Sequence, residues 1–218
     1  MTTPPATRID RRKARTRAAL IGAAQRIVAS GTTTVSIQEI TDAADVGFGS
    51  FYNHFSSKDE LFEEAVAAAL DTWGLFRDEI VAGMEDPAEA FATSFRMTGR
   101  LQRRYPELVR VVLHTGTSVL LTDRGLRPRA RADIERGIEA GRFTLQDPEL
   151  ALMAVGGALL GMLQMLDADP AVDDASVADR FTERVLLLLG LSPEDAAAQV
   201  RRELPDLPDL TGPSRGAS

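Results

Sequence analysis

The chain contains no cysteine and only two histidines, His54 and His114. Without thiols there is no disulfide framework and no thiolate metal site, and a reducing cytoplasm suits such usage. Two histidines are too few for a histidine-based metal cluster, so neither a metal nor a cofactor is expected. The opening residues MTTPPATRID lack the apolar stretch of a secretion signal, and the expected location is cytoplasmic. Period-two alternation, the mark of a half-buried strand, is almost absent. Surplus basic charge is lacking as well: 25 Lys and Arg against 32 Asp and Glu give −7, which argues against a protein that simply coats nucleic acid.

What is present can build a real core, with 218 residues of which 44% are hydrophobic. The charge is unevenly spread. Residues 1 to 60 hold eight basic and six acidic residues, or +2, and residues 61 to 218 hold seventeen and twenty-six, or −9. Six of the basic residues (Arg8, Arg11, Arg12, Lys13, Arg15, Arg17) crowd one short stretch. A basic head on an acidic body is one reading; a solvated basic arm is the other.

Helix punctuation predicts an all-α protein. A first helix runs from about Ile9 or Asp10 to Ser30, with Leu20, Ile21, Ala24, Ile27 and Val28 on its apolar stripe. Ser36 and Glu39 form a capping box, and Val35 and Ile40 can staple that helix entry. The run Ala43 to Gly47 makes a tight break, and a short helix follows to about His54. Ser57 and Glu60 start a long helix with Phe62, Val66, Ala69, Trp73, Phe76 and Ile80 on one face, ended by Gly83. Then Asp86 with Pro87, Pro106, and Asp147 with Pro148 open helices to about Tyr105, His114 and Leu166, because proline in the first turn forfeits no hydrogen bond. A helix ending at Gly141 starts somewhere from Thr122 to Arg127, with Pro128 obscuring the point. Another spans Asp174 to Gly190, and Ser192 with Pro193 opens a last short one.

The stretch Leu150 to Leu166 is uncharged for 17 residues, at the bottom of the range for a membrane span. It contains Gln164 and is flanked by Glu149 and Asp167 instead of basic and aromatic anchors. A helix covered on nearly every side, partly by a second copy of the chain, is the expectation, with no membrane partner. Gly157 and Gly161 would permit close helix approach there, or serve packing within one chain.

The informative segment is SIQEITDAADVGFGSFYNHFSSKDEL, Ser36 to Leu61: helix, break, helix. In a helix-turn-helix the second helix enters the major groove and the first braces it. Gly47, Gly49 and Ser50 allow close approach; Tyr52, Asn53, His54 and Lys58 can reach phosphates and base edges; Phe51 and Phe55 supply the buried side. Capping or packing is the competing role for Tyr52 and His54, and core packing for Phe48. Gly47-Phe48-Gly49 follows a helix and lacks a P-loop lysine, so nucleotide binding is not expected.

This segment resembles the helix-turn-helix of the TetR family of transcriptional regulators. The resemblance rests on the basic first helix ending in Ser30-Gly31, Ser36-Ile37-Gln38-Glu39-Ile40, Ala43, Ala44, Val46-Gly47, and Phe51-Tyr52-Asn53-His54-Phe55 with Lys58 and Leu61. It implies that Ser36 offers its hydroxyl and amide to a phosphate and that Gln38 reaches the groove. Phe48, Gly49 and Ser50 would meet bases and sugars, and Tyr52, His54 and Lys58 would clamp phosphates. Phe48 departs from a polar reader, and a thymine methyl is a possible target.

The resemblance also implies an architecture. A flexible basic arm (residues 1–8) precedes a three-helix DNA-binding domain (9–56), then a helical effector-binding and dimerisation bundle (57–203, with 57–83 as linking helix), then a disordered tail (204–218). The partners implied are double-stranded operator DNA, a second copy through helices 148–166 and 174–190, and a partly apolar small-molecule effector. Its pocket is expected among Phe95, Met97, Thr98, Leu101, His114 and Gln164. The implied function is repression from a palindromic operator, relieved by ligand. Alternatives are a helical small-molecule enzyme, for which no cysteine nucleophile or His-Glu-x-x-His helix exists, and a protein-interaction module tethered by the head.

Overall fold

A computed structural model of the chain describes residues 7–29, 35–121, 123 and 125–206. These residues form ten α-helices and no strand: α1 Arg8–Ala29, α2 Ile37–Ala43, α3 Gly49–Tyr52, α4 Lys58–Val81, α5 Pro87–Arg104, α6 Pro106–Thr115, α7 Leu126–Glu139, α8 Pro148–Ala168, α9 Asp174–Leu188 and α10 Pro193–Val200. A 3-10 turn, Gly116–Leu121, extends α6. The all-α expectation holds, and seven of the ten helices, all but α3, α6 and α7, start at a capping side chain.

Thr7 caps α1 reciprocally: its hydroxyl accepts the Asp10 amide, and its own amide and hydroxyl donate to the Asp10 carboxylate. Helix therefore begins inside the segment expected to be a flexible arm; residues 1–6 lie outside the described residues. Ser36 and Glu39 form the expected capping box at α2. After α2, Asp45 takes φ 54°. The Asp45 amide donates to Asp42 and the Val46 amide to Thr41. Those two bonds are a Schellman closure with aspartate where glycine usually sits, and they set the angle at which α3 leaves. The short helix expected from Gly47 to His54 is regular only over Gly49–Tyr52, because the flanking bonds, Ser50 to Gly47 and His54 to Phe51, span three residues instead of four.

Leu20, Ala23 and Ala24 of α1, Val35, Ile40 and Ala44 around α2, Phe51 and Phe55 around α3, and Leu61 and Ala65 of α4 form one buried cluster. This is the head. Helix α4 then runs into the body, where Val66, Ala69 and Trp73 are buried and Phe62, Phe76 and Ile80 half-buried, close to the expected stripe. The body core is built from α5, α7, α8, α9 and α10. The helix wrapped on almost every side is α5, with twelve buried residues. Helix α8, expected to be covered partly by a second copy, leaves Leu150, Met153 and Met165 exposed in the single chain. Pro128 does not break α7: Gly125, at φ 70°, turns the chain into it, and Pro128 occupies its first turn, where an amide has no partner to lose. Leu204, expected at the start of a disordered tail, is half-buried against the cluster containing Trp73, Met97 and Leu101. Residues 207–218 lie outside the described residues.

Candidate DNA-reading head and effector cavity

The helix-turn-helix residues separate into two groups. Phe48, Gly49, Tyr52 and Asn53 are exposed, with Phe48 48% and Tyr52 57% accessible. Large apolar rings held in water on so short a helix are costly unless something covers them. Tyr52 meets Phe48 edge-on at 5.9 Å and Phe51 at 5.3 Å. Phe51 in turn packs on Phe55, and the Arg17 guanidinium lies 5.0 Å from the Phe55 ring centre. The exposed rings are thereby fixed on the buried ones, while Gly47 and Gly49 leave the entrance bare: a Cβ at Gly49 would meet nothing within 4 Å.

The second group is already engaged inside the protein. Ser36 spends its amide and hydroxyl on Glu39, both at 2.7 Å. Those bonds hold the Glu39 carboxyl below its ordinary value. The Gln38 side chain donates to Asp42 at 2.7 Å, and Lys58 Nζ donates to the Val35 carbonyl at 2.8 Å. His54 is half-buried with Nδ1 lacking a hydrogen-bond partner. Burial first, then the charges of Lys13 and Arg17, pull its pKa down from 6.5, so the neutral ring is favoured. Arg17 also bridges to Glu64 of α4 at 2.8 Å, a tie between the basic helix and the linking helix that sequence spacing did not reveal.

The body holds a cavity of about 100 Å³ between α4, α5, α6, α7 and α8. Its wall is almost wholly apolar, with Trp73, Val112 and Leu163 among the lining side chains. Thr98 faces it, but its hydroxyl accepts from Trp73 Nε1 at 3.0 Å and donates to the Ser94 carbonyl at 2.7 Å. Among the described residues, Arg127 is the one charged residue on the wall. A smaller recess of about 70 Å³ shares Thr98, Leu126, Ala130, Val155 and Leu159 with the cavity and is polar at its far end. There Arg77 pairs with Asp133 and Asp78, Arg77 Nε donates to Ser94 at 2.8 Å, and Arg129 pairs with Asp78 at 2.7 Å.

Of the residues expected in a pocket, Thr98 and Leu101 line the cavity and Phe95 lines the recess. The others are not brought to either space. Met97 is buried among wall residues such as Trp73 and Val109 without lining either space, while His114 and Gln164 are exposed. Both miss for the same reason, since each falls on the outer face of its helix and the inner face carries only apolar groups. Sequence spacing did not single out Val119 and Leu120, which reach the wall from the 3-10 turn, nor Arg127. Among the described residues no group of His, Cys, Asp and Glu is placed to hold a metal ion. Helix α8 has the length and apolarity of a membrane span, but its inner face is part of the body core, and one such helix does not indicate a membrane protein.

Known proteins with this arrangement give it a lineage. Residues 20–65 match the family of bacterial regulatory proteins of the tetR family, and residues 86–202 match the tetracyclin repressor-like C-terminal domain. The HTH-type transcriptional repressor KstR2 of Rhodococcus jostii (strain RHA1) is 29% identical over 163 residues, 69% of this chain and 79% of that protein. RolR without ligand superposes with a TM-score of 0.73 at 31% identity over 87% of this chain and 98% of its own. RolR in complex with resorcinol gives 0.68 at 30% identity over 90% and 98%. The fatty acid degradation regulator FadR of Bacillus halodurans shares the fold, with a TM-score of 0.66 at 18% identity over 87% and 97%. Members of this family bind operator DNA, dimerise, take small-molecule ligands and are generally not enzymes. The chain belongs to the TetR family and is a ligand-responsive, DNA-binding transcriptional regulator.

Proposed function

We propose that this protein is a cytoplasmic repressor that holds a palindromic operator as a homodimer and leaves it when a small, mainly apolar molecule fills the body cavity. The observation that carries this reading is the position of α6. It supplies Val109 and Val112 to the cavity wall, and it packs against α1 and α4, which frame the head. A molecule that favours one placement of α6 therefore biases where the head sits, which is the differential binding a switch requires.

The dimer surface we assign to the outer faces of α8 and α9. Leu150, Met153 and Met165 on α8 and Leu188 on α9 are exposed. Between them, a Cβ at Gly157 or Gly161 would meet nothing within 4 Å. Isolated exposed apolar residues are ordinary, but an apolar stripe with a glycine floor along a whole helix fits a partner helix. On DNA, Gly47, Phe48, Gly49 and Ser50 enter the groove and Tyr52, Asn53, His54 and Lys58 hold the backbone. Ser36, Gln38 and Lys58 must exchange internal partners for DNA ones, so their bonds to Glu39, Asp42 and Val35 report the unbound head.

The size of the cavity favours a single ring. An engineered dry cavity of about 150 Å³ takes benzene, so a space of this order suits a small ring better than a long acyl chain. RolR, at 30% identity, has been seen with resorcinol, a ring of that class. The test is to select bound duplexes from a random pool and follow their release by fluorescence anisotropy with resorcinol as the first probe. A two-fold-symmetric consensus released by a single-ring compound supports the proposal. Failure of the purified dimer to select any duplex would overturn it.

A further inference from the structure

Among the described residues, three buried side-chain polar atoms lack a hydrogen-bond partner: His54 Nδ1, Gln199 Oε1 and Arg127 Nε. Only Arg127 belongs to a residue on the cavity wall. Each terminal nitrogen of that guanidinium has a carboxylate partner: one donates to Asp123 at 2.6 Å and the other to Glu149 at 2.7 Å. A buried N–H without an acceptor is costly, and the loss is recovered when a ligand seated against that part of the wall brings one. The positive charge, in contrast, already faces two carboxylates, so an entering anion would meet no spare cation and two acids.

We propose that Arg127 is the polar recognition group of the effector cavity, and that the effector is an uncharged, mainly apolar molecule carrying one oxygen acceptor for the Nε proton. This rests on the effector reading above and narrows it to a ligand class. Among the described polar groups of the wall, the Thr98 hydroxyl and the Trp73 indole N–H are not free, since they are paired with each other and with Ser94. Selectivity then comes from one hydrogen bond set in an apolar wall. The bond is also placed to be felt elsewhere, because the group that takes the ligand holds Glu149 at the first turn of α8, the helix assigned to the dimer.

The test uses the full-length protein and three probes of nearly one size, titrated calorimetrically: toluene with no acceptor, benzaldehyde with a neutral acceptor, and benzoate with a charged one. Benzaldehyde is expected to bind about tenfold more tightly than toluene, the scale of one net hydrogen bond, and benzoate to bind worst. Arg127→Lys keeps a cation for Asp123 and Glu149 but puts a methylene where Nε was, so it should fold normally and bring the benzaldehyde to toluene ratio close to one. Arg127→Met checks the same ratio without the charge. Equal affinities for toluene and benzaldehyde in the native protein, an unchanged ratio in Arg127→Lys, or benzoate as the tightest probe would each overturn the proposal. Binding of none of the three would overturn the effector reading itself and this inference with it.

Discussion

His54 shows how one side chain can be tuned by its place in the head. Its ring is biased towards the neutral form in the free protein because burial, Lys13 and Arg17 all oppose a positive charge. The folded pKa lies below the unfolded value of 6.5, so below that pH the unfolded chain binds the extra proton and the head loses stability as pH falls. A phosphate beside the ring would act oppositely, favouring the charged form and drawing in a proton on binding. Operator affinity of the native protein should therefore rise as pH drops from 8 towards 6, and His54→Gln should flatten the profile. Anisotropy titrations across that range check it. Phe48 makes a second prediction at this scale. Its side chain is half out of the fold, so Phe48→Ala should leave thermal stability nearly unchanged. It should weaken operator binding by about 1 kcal/mol, the scale of partly burying a ring, and blur the selected consensus at one position. The exposure of Phe48, Gly49, Tyr52 and Asn53 was legible in sequence because glycines beside aromatics on a short amphipathic helix leave few other arrangements. That Ser36, Gln38 and Lys58 would be engaged internally was not, since a hydroxyl that can cap a helix can equally hold a phosphate, and only coordinates separate the two.

At the scale of elements, the helix boundaries followed from local chemistry and the pairing of helices did not. Serine, threonine, aspartate and proline mark a helix start wherever they fall, which is why α5, α8 and α10 open at the expected residues. Nothing local says which of two apolar helices will be central. Helix α5 looks only moderately apolar in sequence, because its buried set includes Thr93, Arg96, Thr98 and Gln102. Arg96 is kept inside by Asp179 of α9 at 2.8 Å and by the Arg202 carbonyl at 2.8 Å. A similar long-range pair, Arg77 of α4 with Asp133 of α7, ties the linking helix to the body. Asp133→Ala would leave Arg77 buried with only its neighbour Asp78 and Ser94, and should cost about 3 kcal/mol in a denaturant titration. Helix α8 supplies the matching prediction for assembly. Gly157→Glu places a charge where two copies would meet and where a single chain has open space, so it should lower the sedimenting mass to one chain without preventing folding.

The whole molecule divides its charge as it divides its work. The head end is basic, the remainder strongly acidic, and the net value of −7 hides both. Its all-α class and the position of the head were legible from punctuation and from one dense motif. The cavity was not, because a void is a property of how five helices fail to fill the space between them. Arg127, the charged residue among its described lining, is in sequence indistinguishable from a solvated arginine near a helix start. Acid pH should also loosen the body, since Asp86 is held below its ordinary pKa. Burial works against its charge, but the hydrogen bonds from Arg142 and the Ala88 amide and the charges of Arg142 and Arg202 prevail. That contribution is present above the ordinary carboxylate range and is lost as pH falls through the depressed value.

The central claim is that the head of a dimeric chain grips duplex DNA through its phosphates. Equilibrium affinity for a selected palindromic duplex, measured by anisotropy over a series of salt concentrations, tests it most directly. Two chains per duplex are expected, with an affinity that falls steeply with salt, by about 0.9 in logarithmic slope for each phosphate neutralised. An affinity indifferent to salt, or equal for a scrambled duplex, would contradict it.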